Sequence, residues 1–540
     1  MSSETLQRIG KYTYIYESTS FRDSQGRPRN TKQRIGKIDP KTGRKIYKQE
    51  YLDKMAARGT PIAIPPTDAI VTLSNDGIYS TIVSAFDTLA NYGAYYFLRS
   101  ISDKIGMATI LNEIIPDYWK EVFTLACFLI CSERPVMYCE DWVSETKTLP
   151  VGSMSSQRIS ELLVAFGVGE RNFFYTLWGK HISEQEYIAL DITSISSYSE
   201  LMQECEWGYN RDHEDLPQIN LCMLMGEKSR LPVFQTVYSG SIKDVSTLIN
   251  TLKEVSALIP AKEMQIVMDK GFFSTKNINA MLDDREERYR FIIAVPFTHG
   301  FAKKQVESER KDIDQPSKTI LTDDAPIRGV HKVRTWVNEK KVHSHILYNP
   351  VKALKERNDL YGYVTGLMRL ANENPENKEY RSAFEKYLII RKSDKTPSGY
   401  TINSREDVIA EKESTTGWMV LISNHMEDTQ EVYDIYRTKD VVEKGFNRLK
   451  NCLNLGRLHV HSVERMQNKI FIGFIALIIM SHIHRVMSEN NLYKQMTMDK
   501  LLINLSKIKI VTINGRQIIR PLTKVQKRIF KIFGIELPVG

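Results

Sequence analysis

Apolar and polar positions along this chain change period several times, and each change marks a unit. Up to about residue 65, short alternating stretches such as Tyr12-Thr13-Tyr14-Ile15-Tyr16 lie between the turn signals Gln25-Gly26, Asp39-Pro40 and Thr42-Gly43, which predicts a β-hairpin unit over 1–65. From Ser84 to His181 the apolar residues (Phe86, Leu89, Ala90, Tyr96, Phe97, Ile101) recur mostly at three- and four-residue steps, so 66–183 reads as a helical domain. Within it, the run from Ser155 to Leu163 has the serine-then-acid spacing of a helix start. Over 184–297 strand-like runs (187–191, 220–225, 233–238, 266–269, 291–295) alternate with a helical pattern over 245–258. Three strands, a helix, a strand, a helix and a further strand is the order of an RNase H-like mixed sheet, an α/β fold.

The stretch 298–416 interrupts this order. It is highly charged, with strand-like pieces at 333–337, 342–348 and 387–390 and a polar helical patch near 372–386, and it reads as a β-rich insertion domain. A buried strand at 418–422 resumes the sheet, so 417–490 reads as its second part and 491–540 as a basic tail.

Composition narrows the class. The 540 residues are 42% apolar and 26% charged, a globular balance with ample core. The longest apolar stretch, 470–480, is too short for a membrane span and reads as a core helix. Met1-Ser2-Ser3-Glu4 lacks the opening of a secretory leader, and the six cysteines show no zinc-site spacing, so reduced thiols and a cytoplasmic location are expected. Net charge is +9, and its distribution matters more than its size. Ten Lys or Arg stand against three acids between Phe21 and Glu50, and eight against one (Glu536) from Leu501 onward. Lys524, Lys527, Arg528 and Lys531 share helical spacing there, and a nucleic-acid backbone is a partner suited to both regions. The helical domain is of a kind that can bind DNA, although no sharp turn motif marks a helix-turn-helix.

Three carboxylates carry the candidate chemistry. Asp191 closes the run Tyr187-Ile188-Ala189-Leu190, and Asp269 closes Ile266-Val267-Met268 before Lys270-Gly271-Phe272. Glu443 lies in a patterned helix expected to run from 436 to 450. At about 100° per residue, Tyr436, Lys439 and Lys450 fall on the same stripe as Glu443. Val442, Phe446 and Leu449 form the strip that faces the sheet, while Arg437, Lys444 and Arg448 face outward. Two strand ends and a helix supplying one acid each suit a two-metal phosphoryl-transfer site, and the flanking cations suit phosphate oxygens. An Asp after an apolar run is more often a turn or cap residue, and a charged helix more often a salt-bridged surface.

The stripe Tyr436-x2-Lys439-x3-Glu443-x6-Lys450 resembles the Tyr-x2-Arg-x3-Glu-x6-Lys signature of bacterial insertion-sequence DDE transposases. Asp191-Ile192-Thr193 and Asp269-Lys270-Gly271-Phe272 resemble the first- and second-acid segments of that group. The segments 216–220 and 238–244 resemble its intervening strand and loop, and His459 to Arg465 is similar to the segment beyond its Glu helix. Two positions depart: Lys439 replaces Arg, which keeps charge and loses the fork of donors, and Gly240-Ser241 replaces the usual Gly-Asn. The resemblance implies cut-and-paste transposition: two Mg²⁺ ions (Mn²⁺ as substitute) held by Asp191, Asp269 and Glu443, with Asp191 bridging. It also implies double-stranded DNA as partner (terminal inverted repeats and target), a homodimer on DNA, no membrane, and a bacterial cytoplasm with nucleoid association when bound. Tyr436, Arg437, Lys439, Arg448 and Lys450 are the expected DNA contacts. The insertion of that group handles a flipped or hairpinned end, for which Trp336, between Arg334 and Lys340, is the expected exposed platform, unless it belongs to the insertion's own core. An RNase H-like nuclease without repeat preference and an inactive DNA-binding derivative are the competing readings; the three intact acids argue against the second. A Ser/His/Asp hydrolase is more remote, since no Gly-x-Ser-x-Gly motif occurs.

Overall fold

The computed structural model describes residues 2–9, 12–39, 45–57, 86–180, 186–199, 201–259, 263–336, 339–393, 399–513 and 516–539. The turns at Asp39-Pro40 and Thr42-Gly43, the stretch 58–85, His181 and Val337 lie outside the described residues. Two compact units result, one of 1–90 with 509–521 and 538–540, the other of 91–508 with 522–537.

In the smaller unit, Ser2–Ile9, Tyr12–Arg22, Pro28–Ile38 and Lys45–Tyr47 pair in that order as an antiparallel sheet, followed by the helix Gln49–Ala57. Ile15 and Ile35 are its buried anchors, whereas Arg29, Lys32, Arg34 and Lys37 stand exposed along one strand. Gly26 makes the tight turn before that strand with φ +70°, a conformation open to glycine at little cost.

The larger unit begins with the expected helices, Gly93–Lys104, Met107–Ile114, Trp119–Cys131, Ser156–Leu162 and Val168–Gly179 among them. The start at Ser155 is a true cap: its hydroxyl accepts from the Arg158 amide at 3.4 Å. Trp178 fastens this layer to the sheet by donating Nε1 to the Pro232 carbonyl at 2.7 Å. The helix Val463–Glu489 is long and apolar enough to cross a membrane, yet most of its length is buried inside the fold, as expected of a core helix.

The sheet has nine strands: β1 Ile188–Ser196, β2 Gln218–Gly226, β3 Pro232–Ser239, β4 Met264–Met268, β5 Tyr289–Ala294, β6 Thr319–Ile320, β7 Ile327–Thr335, β8 Lys341–Tyr348 and β9 Trp418–Ser423. They lie in the order β6-β7-β8-β9-β5-β4-β1-β2-β3. β1, β2 and β3 pair antiparallel, while β1, β4 and β5 run parallel, with helices Asp244–Leu258 and Thr275–Leu282 as the crossovers. The order 3-2-1-4-5 with this pairing is an RNase H-like sheet, so the architecture is the mixed α/β one expected.

Two segments read as parts of the insertion belong elsewhere. Val333–Thr335 of the first piece fall on β7 and the piece at 342–348 on β8, and both strands extend the main sheet through β9 to β5. Between Asn349 and Gly417 the chain forms helices Pro350–Glu373, Arg381–Tyr387 and Glu406–Glu413 and one strand pair, Leu388–Lys392 with Tyr400–Ser404. Val364, Leu367, Ala371, Phe384, Leu388 and Ile409 give this part a core of its own.

Candidate active site

Strand register brings the first two acids together. The parallel pairing of β1 with β4 ends at Leu190 opposite Met268. One step further on each strand stand Asp191 and Asp269, side by side on strands about 4.8 Å apart. Asp191 is not at a strand end as expected, because β1 continues to Ser196; it is β4 that stops, and this opens the sheet beside Asp191. Asp269 precedes a short 3-10 turn, Lys270–Phe272, but its side chain does not cap that turn. Its Oδ1 instead accepts from the Tyr436 hydroxyl at 3.1 Å, which favours a role at the site over that of a simple turn residue.

The third acid arrives on a broken helix. In place of one helix from 436 to 450 there are Thr429–Thr438, Asp440–Asn447 and a wider π turn over Arg448–Cys452, joined at Lys439. Such π turns are frequent at functional sites. Gly445, two residues beyond Glu443, permits the approach to the sheet: a Cβ there would lie 2.4 Å from Met225 Sδ on β2. Val442, Phe446 and Leu449 are buried, as the pattern predicts.

Lys439 organises the acids. Its Nζ lies 3.1 Å from Glu443 Oε1 and 3.9 Å from Asp269 Oδ1. Burial works against its charge, but Asp269, Glu443 and Asp191 outweigh that, so its pKa is raised. Asp191 is half-buried, and burial pushes its carboxyl up to about 6; Lys439 and Arg211 pull the other way, and Asp269 adds to the rise. Burial and neighbouring Asp269 likewise raise the Tyr436 phenol, which therefore acts as a hydrogen-bond donor. Among the described residues, no three His, Cys, Asp or Glu groups are drawn close enough to hold one ion. Glu443 remains 60% exposed, its carboxylate paired with Lys439. The donor set fits a hard divalent cation: three carboxylates, two of them adjacent, with a counter-cation already attracted among them.

The remaining expected contacts divide. Lys450 is not on an open stripe, since its Nζ pairs with Asp212 at 2.5 Å. Arg437 is exposed, with Asp324 3.6 Å away. Arg448 is half-buried rather than outward, and burial lowers its pKa. The exposure expected of Trp336 does not hold. It is 7% exposed, ringed by Phe273, His299 and Phe301, and donates Nε1 to Asn279 Oδ1 at 2.9 Å. Its charged neighbours are engaged as well, Arg334 with Gln305 and Lys340 with Asp283.

Sequence reading passed over the loop between β1 and β2. Arg211 reaches Ser194 Oγ on β1 at 3.3 Å and pairs with Asp244, while Asp212 holds Lys450. The charged run Arg211-Asp212-His213-Glu214-Asp215 between two apolar strands was the available signal. Two glycines hold this loop to the next one. A Cβ on Gly208 would lie 2.1 Å from the Gly240 carbonyl oxygen, and one on Gly240 2.1 Å from the Gln218 oxygen. Backbone cannot yield there, so Gly240→Ala is expected to cost about 3 kcal/mol. Urea denaturation checks this, and an unchanged midpoint would show that the loops are not clamped.

With the geometry established, the chain can be compared with known proteins. No curated protein matches the chain. Among solved structures the chain is similar to a piggyBac transposase synaptic complex with hairpin DNA, at 10% identity and a TM-score of 0.33 over 75% of this chain and 70% of that one, a likeness too distant to carry an argument. Residues 182–479, more than half of the chain, match the transposase DDE domain, and they contain β1, β4 and the helix of Glu443 with all three acids. The chain belongs to the transposase DDE-domain family.

Proposed function

We propose that the protein is a cut-and-paste DNA transposase that uses Asp191, Asp269 and Glu443 to bind divalent metal, cleave the ends of its element and join them to target DNA. The observation that carries the reading is the register-adjacent pair Asp191 and Asp269, faced by Tyr436 and Lys439 from the helix of Glu443. Asp191, Asp269 and Glu443 would hold a pair of Mg²⁺ ions, which would supply activation of the attacking oxygen and stabilisation of the leaving one. This chain's own groups do the rest. Tyr436 orients Asp269 through its hydroxyl, and Asp191 is held against its own strand by the Ile192 amide at 2.8 Å. Lys439 neutralises the acids while the metal is away and turns to a strand phosphate once the acids are otherwise engaged. Lys450, released from Asp212, and the exposed Arg437 serve the same backbone. The exposed row Arg29, Lys32, Arg34 and Lys37 and, separately, the basic face of the helix Lys524–Phe533 suit contact with duplex DNA.

The reading is tested on DNA carrying the flanks of the gene. Mg²⁺-dependent breaks at imperfect inverted repeats, blocked by EDTA, are expected; breaks with no preference for the repeats would assign the chain to the nucleases instead. Lys439→Ala and Lys450→Ala should each weaken end binding and lower the slope of log affinity against log salt by about one. Lys439→Arg should preserve both quantities. Salt slopes identical to the wild type in both alanine variants would remove these lysines from the DNA interface.

A further inference from the structure

Away from the carboxylates, a cavity of about 550 Å³ lies between the helices Trp119–Cys131 and Ser156–Leu162 and the segment 454–472. Leu125, Leu129, Ile159, Leu163, Leu455 and Ile472 line it with apolar surface. Arg134, His459, His461, Arg465 and Lys469 supply its polar side, and no Asp or Glu is among its lining residues. Lys469 donates to the Leu458 carbonyl at 2.6 Å, and Arg465 to Ser160 Oγ at 3.0 Å, so both cationic groups are held by neutral partners. Burial alone pulls the Lys469 amine down to about 8. Arg465 and Lys469 are half-buried on a wall without acids, an arrangement that an anion would complete. The apolar lining asks for something else, a flat ring, and the volume falls in the range of small-ligand sites.

The wall is tied to the catalytic elements. Leu455 and Gly456 donate their amides to the carbonyls of Leu449 and Lys450 at 3.1 and 3.2 Å, and the Leu458 amide reaches Ser196 at the end of β1 at 3.4 Å. We propose that this cavity binds a nucleoside monophosphate unit, its base on the apolar lining and its phosphate at Arg134, Arg465 and Lys469, either as an unpaired nucleotide of a DNA strand or as a free nucleotide. The inference goes beyond the catalytic reading and is independent of it, because binding requires no cleavage.

The experiment uses the full chain without divalent metal. Calorimetry with dAMP, deoxyadenosine and inorganic phosphate addresses the free nucleotide; anisotropy of a labelled short oligothymidylate addresses the strand. Deoxyadenosine and phosphate are each expected to bind at least about tenfold more weakly than dAMP. Arg134→Glu and His461→Glu, both at exposed positions that tolerate exchange, should each weaken binding about tenfold, and Lys469→Met should do the same or more. Arg369→Glu, on the exposed face of the helix Pro350–Glu373, should leave dAMP binding untouched. Sensitivity of the oligonucleotide alone to the cavity variants identifies the strand as the source, and sensitivity of dAMP alone identifies the free nucleotide. Phosphate binding as tightly as dAMP, binding of neither probe, or binding of both indifferent to all three cavity variants would overturn the proposal.

Discussion

Exchange of Asp269 for asparagine is expected to lower Mg²⁺-dependent strand cleavage by at least about a thousandfold, roughly 4 kcal/mol of lost transition-state stabilisation, in a protein that remains folded. Asparagine keeps an oxygen for the Tyr436 hydroxyl, so the helix should stay docked, but it removes the charge that holds Lys439 and a divalent cation. Glu443→Gln and Asp191→Asn should fall equally far while DNA binding persists, because the cations that would hold the backbone lie on other residues. Asp191→Asn carries a second signature. A carboxyl whose folded pKa of about 6 lies above its ordinary 3.8 costs stability where it is charged, above about pH 6, and costs nothing below 3.8. The metal-free variant should therefore melt higher than the wild type at pH 7.5, with the gain fading as pH falls from 6 to 4. A plasmid nicking assay and paired melting curves read both effects; near-normal cleavage by any one variant would remove that residue from the metal site.

The second large effect concerns Trp336. Its replacement by alanine should cost about 3–5 kcal/mol, since a buried indole in contact with Phe273, His299 and Phe301 leaves a cavity the fold cannot close, and Asn279 loses its donor. Urea denaturation should show the loss directly, and nicking and joining should decline together with the folded fraction. A variant as stable as the wild type that nicks normally and fails only afterwards would return Trp336 to the DNA.

Periodicity made the core of the sheet legible. The apolar runs located β2 to β5 and β9 to within two residues, the start of β1 to within one, and the crossover helix Asp244–Leu258 to within one. What escaped depended on distant pairing. Nothing local shows that β8 binds β9 across the intervening 349–417, so a charged neighbourhood made two strands of the main sheet look like insertion. The polar Thr193, Ser194 and Ser196 give Asp191 the look of a strand end, yet these residues are buried, and Ser194 and Ser196 are met by Arg211 and Asn210 of the next loop. The break at Lys439 carries neither glycine nor proline, and the helical stripe runs through it unchanged, so periodicity places Tyr436 beside Glu443 whereas its side chain turns to Asp269. The candidate acids were marked out by their flanking residues; the ion pair that holds the nearby loop, Asp212 with Lys450, was not.

The pairing of Tyr348 with Trp418 has a consequence for the chain's history. The segment between them leaves and re-enters at directly opposed positions of two antiparallel neighbours, where Asn349 and Gly417 are joined by a 2.8 Å backbone hydrogen bond. Topologically it is an overgrown hairpin turn with an apolar nucleus of its own. Because the ends of such a loop are held together by the sheet, enlarging it adds little closure entropy, about 0.6 kcal/mol for each doubling of a flexible loop. Descent can therefore lengthen, trim or exchange this module as an independent attachment, while the register that sets Asp191 beside Asp269, on the far side of β5, is inherited untouched.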